Sequence, residues 1–285
     1  MGRYPSQLGE PPKALLALVC LSLASAFVGC IAPEAPVGPV VLDANGATAE
    51  VNYEDLGLVL SKAVNDKGYV DYADLQKHAA RLEAQLKRLA VAGPAATPTL
   101  FPTPADRLAY WYNARAAWAM RLALDANCPW GSLAPSRLEE RPFPLDGRPM
   151  TLDAIDAILL REAGWQAAVG APCVRLHRAR LPERPFSPAD VLEVVPRRFM
   201  EYLADGSRFV VDVSRQTVFY PPMLWAQRER LRGEYDRAYG TREATLMTAL
   251  LPFTSGMAER RLQNAIGYAE ACDGRDGPLA CLKHP

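Results

Sequence analysis

The chain has 285 residues, 49% of them hydrophobic, enough to bury one substantial core or two small ones. Its 32 basic and 32 acidic residues cancel, so there is no charge excess of the kind that draws a protein onto nucleic acid. With 3 histidines and no Cys-x-x-Cys pair, no zinc-site spacing is present, and neither a metal nor a cofactor is expected.

Arg3 and Lys13 precede an apolar run, Ala14–Val28, that falls short of the ~20 residues a bilayer-spanning helix needs. Residues 1–30 therefore read as a signal sequence. The stretch Phe27, Val28, Gly29, Cys30 resembles a bacterial lipoprotein signal, in which a small residue precedes the lipid-modified cysteine. That resemblance implies more than one acyl chain on Cys30, as stable anchoring requires. Cleavage after Ala26 and an uncleaved anchor are the alternatives. The expected location is the cell envelope, membrane-anchored through Cys30, or periplasmic or secreted if cleavage follows Ala26. Residues 31–51, with Pro, Gly and Ala but no amphipathic period, read as a flexible tether.

A folded domain is expected over 52–271, with a tail over 272–285. Tyr53, Leu56, Val59, Leu60 and Ala63 recur at helical spacing until Asp66, Lys67 and Gly68 stop them. After a short extended stretch, Leu75, Leu82, Leu86 and Leu89 mark a second helix that ends at Gly93 and Pro94, with His78 in a solvated or capping position.

The helix over 106–125 follows Thr103 and Pro104 and is expected to be central. Leu108, Trp111, Tyr112, Arg115, Trp118 and Leu122 form one stripe, and alanines with Met120 fill the other faces, so it should be packed on several sides. Asn113 and Arg115 are then polar groups indoors, either satisfied by neighbouring backbone or forming one wall of a binding site.

Phe143 to Met150 reads as a hairpin turning at Asp146 and Gly147, and Thr151 as the cap of a helix reaching Gly164. Asp153 stands near that helix's positive end and Arg161 near its negative end; Arg115 and Arg161 are the candidate binding residues. Asp153 and Asp156 share a face, which with Glu162 is compatible with a carboxylate hydrolase but also with ordinary dipole compensation. Arg175, His177, Arg178 and Arg180 make the next segment a basic loop, expected to be solvated. A helix capped by Ser187 and interrupted at Pro196 leads to Gly206. Alternation from Phe209 to Tyr220 gives a second hairpin, and the remainder to Ala271 is expected to be helical. The fold class is thus α+β, a mostly helical single domain with a small antiparallel sheet from two hairpins packed round the central helix.

Export places the cysteines in an oxidising compartment. With Cys20 removed and Cys30 lipidated, Cys128, Cys173, Cys272 and Cys281 remain, and three pairings are open. A local bridge from Cys272 to Cys281 is the expected one, and a bridge from Cys128 to Cys173 is also considered.

Four stretches in order resemble the bacterial and plant family catalogued as domain of unknown function 547. They are Gly68, Val70, Asp71, Tyr72 and Leu75; the helix from Tyr110 to Ala117; the helix from Leu152 to Arg161; and Gln166 to Leu181, which carries Cys173. Where the family pattern has Asn, His, His and a second Cys, this chain has Ala116, Ala157, Ala168 and Arg178. Loss of both imidazoles removes what activates a cysteine nucleophile, so a non-catalytic, membrane-tethered domain binding a surface or envelope ligand is expected. The alternative is a thiol hydrolase or transferase on peptide or cell-wall amide bonds. Cys173 would be its nucleophile, His177 the base and Asn113 the orienting residue.

Overall fold

A computed structural model describes residues 51–128, 138–205 and 208–274, together with Leu279 and Cys281. The expected signal with Cys30, and all but the last residue of the tether, lie outside them. The architecture is α+β and mostly helical.

Helix α1 (Glu54–Ala63) buries the Leu56, Val59, Leu60, Ala63 stripe, and its Asp55 binds Arg81 (2.9 Å) and Arg88. The expected second helix is two: α2 (Tyr72–Lys77), capped by Asp71, and α3 (Ala79–Val91). His78 stands at the join, its Nδ1 2.8 Å from the Asp74 carbonyl, a capping role. Helix α4 (Pro104–Asp125) starts at a capping box in which Thr103 and Asp106 satisfy each other's backbone amides. Buried on every face, it has α2, α3, α5 (Leu152–Val169) and α6 (Val191–Ala204) around it. Its alanines at 109, 114, 116, 117, 119 and 123 allow that close approach.

Strands β1 (Phe143–Leu145) and β2 (Arg148–Met150) form the expected hairpin. The Asp146 and Gly147 amides at its turn donate to the Leu89 and Ala90 carbonyls (2.9 and 2.8 Å), giving the end of α3 its missing partners. Thr151 caps α5, which continues past its expected end across a kink at Gly164, where φ is 85°. A side chain is rarely tolerated there, and the turn lets Trp165 and Val169 enter a second apolar cluster.

That second cluster packs Phe199, Tyr202 and Leu203 of α6 against a three-stranded sheet and four short helices. Strands β3 (Val210–Asp212) and β4 (Thr217–Tyr220) are the expected second hairpin. The helices are α7 (Pro222–Ala226), α8 (Arg228–Tyr239), α9 (Leu246–Leu250) and α10 (Gly256–Asn264). The expectation of helix up to Ala271 is corrected by β5 (Ala269–Cys272), which pairs parallel with β4. Glu270 on β5 accepts from the Leu246 and Met247 amides, so a strand side chain supplies the start of α9 with acceptors. The two hairpins therefore belong to separate sheets, one of them mixed.

The disulfide joins Cys128 to Cys281, with Cα atoms 6.2 Å apart; Cys173 and Cys272 are free thiols. This corrects both the expected Cys272–Cys281 bridge and the Cys128–Cys173 alternative. Strand pairing opposite Tyr220 holds Cys272 on β5, while Leu279 and Cys281 belong to the first cluster. There Leu279 pairs with Arg175 and Cys281 with Val70, beside the end of α4.

Candidate functional site

The polar side chains of α4 act as fasteners to distant segments. Tyr110 and Tyr112 donate their hydroxyls to the carbonyls of Leu89 (3.2 Å) and Ala167 (2.7 Å). Asn113 clasps Phe186, its Nδ2 donating to the carbonyl at 2.9 Å and its Oδ1 accepting from the amide at 2.8 Å. A buried side-chain amide matched at both ends is a stable interior group.

Arg115 is fully buried. Its Nε and Nη2 donate to the two oxygens of Asp156 at 2.6 and 2.9 Å, and its Nη1 donates to the Pro172 carbonyl. Arg178 adds a bond from Nη2 to the same carboxylate at 2.5 Å. One acid on α5 thus holds two guanidiniums from different parts of the chain. Burial alone would favour protonation of Asp156, but the two cations outweigh it and hold the carboxyl below its ordinary range. Burial also works against both guanidinium charges; Asp156 more than offsets it and leaves both arginines above their ordinary values. Beside them Arg175 makes a fork with Glu139, Nη2 reaching Oε2 at 3.1 Å.

The segment supplying Arg175 and Arg178 folds back on itself, the Cys173 amide donating to the Ala179 carbonyl at 2.8 Å. Both arginines are buried, which corrects the expected solvated loop. The reason is that Glu139 and Asp156 meet them as they enter the interior.

The residues singled out for thiol chemistry have three different partners. Cys173 is 1% exposed with Arg115 against its sulfur. His177 is partly exposed, its Nδ1 3.7 Å from the Asp273 carboxylate, and Asn113 is engaged by Phe186. Of the two candidate binding residues, Arg115 is interior, whereas Arg161 is a surface side chain 3.0 Å from Glu162. Asp156, the group that organises the buried cluster, stood out in the sequence only as an acid sharing a face with Asp153; its place beside the buried Leu152, Ile155 and Leu159 is the signal that could have marked it as interior.

Where the same segment leaves the interior, its next arginine changes company. Arg180 lies over the Tyr69 ring at 4.1 Å and donates Nη2 to Asp205 Oδ2 at 2.9 Å, an oxygen that Arg208 also approaches at 3.0 Å. Arg198 of α6 lies over the Phe186 ring at 5.2 Å, donates Nε to the Gly170 carbonyl at 3.1 Å, and donates Nη2 to the Arg180 carbonyl. Arg180 and Arg198, with Lys67 and Arg184, line a groove of about 540 Å³ between the turn at Gly68, the loop 181–186 and α6. The Gly68 turn has φ 69°, and a Cβ there would sit 2.5 Å from the Arg180 Cβ, so glycine is what lets the two walls meet. A smaller recess of about 200 Å³ opens between Arg107 and Trp111 of α4 and Glu162 of α5.

Among the described residues no group of three His, Cys, Asp or Glu side chains is placed to hold a metal. No described helix is long and apolar enough to cross a membrane. Comparison of the chain with family models, with curated proteins and with solved structures finds no match.

Proposed function

We propose that this chain is a non-catalytic binding domain tethered in the cell envelope, a divergent relative of the domain of unknown function 547 family in which the thiol chemistry is lost. The observation that carries this reading is the burial of Cys173, 1% exposed and near an Arg115 already committed to Asp156. A cysteine nucleophile needs an accessible sulfur and is usually activated by a neighbouring imidazole; here the sulfur is buried and His177 faces Asp273. Export through residues 1–30 and acylation of Cys30 would hold the domain at a membrane, with the tether giving it reach to an envelope ligand. Nucleic acid is not a partner in this reading, because the chain carries no net positive charge.

Iodoacetamide added to the folded protein without reductant, followed by peptide mass mapping, tests the reading. Cys272 should be labelled, Cys128 and Cys281 should remain bridged, and Cys173 should stay unmodified until denaturant is added. Labelling of Cys173 in the folded protein as fast as glutathione at neutral pH would overturn it.

A further inference from the structure

We infer that the groove between the Gly68 turn, the loop 181–186 and α6 binds a small zwitterion, an amino acid or short peptide, with its free carboxylate held by Arg180 and Arg198. This rests on the binding reading above and adds to it the ligand class.

Three observations lead there. The first is unspent donors. Arg180 Nη1 is buried without a hydrogen-bond partner. Arg198 meets two carbonyls and the face of Phe186, and among the described residues no carboxylate is paired with it. Its charge is weakened by burial, which Tyr112 and Glu201 offset only in part, whereas Asp156 more than offsets the burial of Arg115. Behind them the Nε and Nη1 of buried Arg208 also lack partners. A desolvated cation without an anion is costly, and an incoming carboxylate removes that cost while matching the guanidinium fork.

The second observation is preorganisation. Both guanidiniums are held on aromatic faces, and Arg198 is bonded to the Arg180 backbone, so little side-chain freedom is left to lose on binding.

The third is the charge of the rim. Arg184 is paired with Asp190 (3.2 Å) and Arg197 with Glu201 (3.4 Å). The exposed Asp66 and Glu183, by contrast, have no ion-pair partner among the described residues. Against these two acids stands one cation without an ion pair among the described residues, the exposed Lys67. The groove is therefore cationic at its floor and only weakly anionic at its edge, which favours an ammonium over a polyanion. A volume of about 540 Å³ also leaves far more room than a lone phosphate fills.

The test is calorimetric titration of the purified exported protein with alanine, dialanine and trialanine, with trialanine amide, with N-acetyl-trialanine and with inorganic phosphate. Peptide recovered afterwards is weighed by mass spectrometry. Saturable binding of at least one free-acid probe is expected, weakened about tenfold or more by amidation and by Arg198→Lys, which keeps the charge and loses the fork. If Arg198→Lys lowers the melting temperature, Glu183→Gln takes its place. That surface change should weaken the free-amine peptide and leave the N-acetyl peptide unaffected. No binding of any free-acid probe overturns the inference, as does phosphate or the amide binding as tightly as the acid; either result leaves the non-catalytic reading standing on Cys173. Binding followed by recovery of cleaved peptide upholds the ligand class and overturns the non-catalytic reading.

Discussion

Arg178 and Arg180 are two residues apart and end in opposite electrostatic surroundings. Arg178, with Arg115 and the neighbouring Arg175, is buried and each of the three is bonded to a carboxylate, Arg115 and Arg178 sharing Asp156 and Arg175 held by Glu139. Arg180, with Arg198 and Arg208, has a single shared carboxylate, Asp205, and otherwise meets aromatic rings and carbonyls. Burial by itself therefore does not separate a structural arginine from a binding one. What separates them is how far the protein's own acids meet the charges. Two carboxylates bond all three arginines of the first set, although Arg178 Nε is left without a partner, whereas one carboxylate serves Arg180 and Arg208 and none is paired with Arg198 among the described residues. The first set fixes α4, α5 and the 172–180 segment to one another; the second lies beside and beneath a groove with less carboxylate to answer it.

The comparison can be broken most severely at its hub. Asp156→Ala leaves two buried guanidiniums without their acid and should cost about 3–5 kcal/mol in urea unfolding. Replacing Arg115, Arg178 and Asp156 together by Met, Met and Leu should recover most of that loss, because it leaves none of the three buried charges behind without its partner. A triple variant as unstable as the single one would mean that the charges themselves, and not their mutual pairing, hold the core. Next in size is Cys281→Ser. The bridge spans a sequence separation of 153 and holds the end of the chain near Arg175, so its loss should cost about 2–5 kcal/mol. Adding reductant to the native protein should reproduce that effect.

Acid sharpens the contrast further. The folded-state value of Asp156 is held below its unfolded one, so the stability it contributes is complete above the ordinary aspartate range, about 3.9. That contribution disappears as pH falls through the depressed folded value. Unfolding free energy measured from neutral pH downward should therefore show an acid limb that Asp156→Asn flattens while lowering stability at neutral pH. The smallest effect belongs to the groove. Lys67 is exposed and without an ion pair among the described residues, so Lys67→Ala should change stability by no more than about 0.5 kcal/mol. A larger loss in the melting temperature would move Lys67 from the groove's mouth into the supporting structure.

Much of this was legible in the chain. Thr103 with Pro104, and Thr151, announced the starts of α4 and α5, and the unbroken apolar filling of α4 announced that it would be surrounded. Both hairpins were legible from alternation and turn residues. Asn113 and Arg115 stood out as polar residues on a buried helix, although their partners did not. The solvated basic loop was the opposite of what formed, because a run of arginines carries no sign of the acids waiting elsewhere for it.

The sequence by itself determined the elements whose energetics are local: helix caps, the 3.6-residue stripe, the two-residue turn at Asp146 and Gly147. Only the tertiary structure decided that β5 would join β4 in parallel, that Cys281 would reach Cys128 in place of Cys272, and that Asp156 would receive Arg115 and Arg178. Those choices depend on which segments meet in space, and a pairing that stabilises only after the chain has closed a long loop leaves no periodic trace along it.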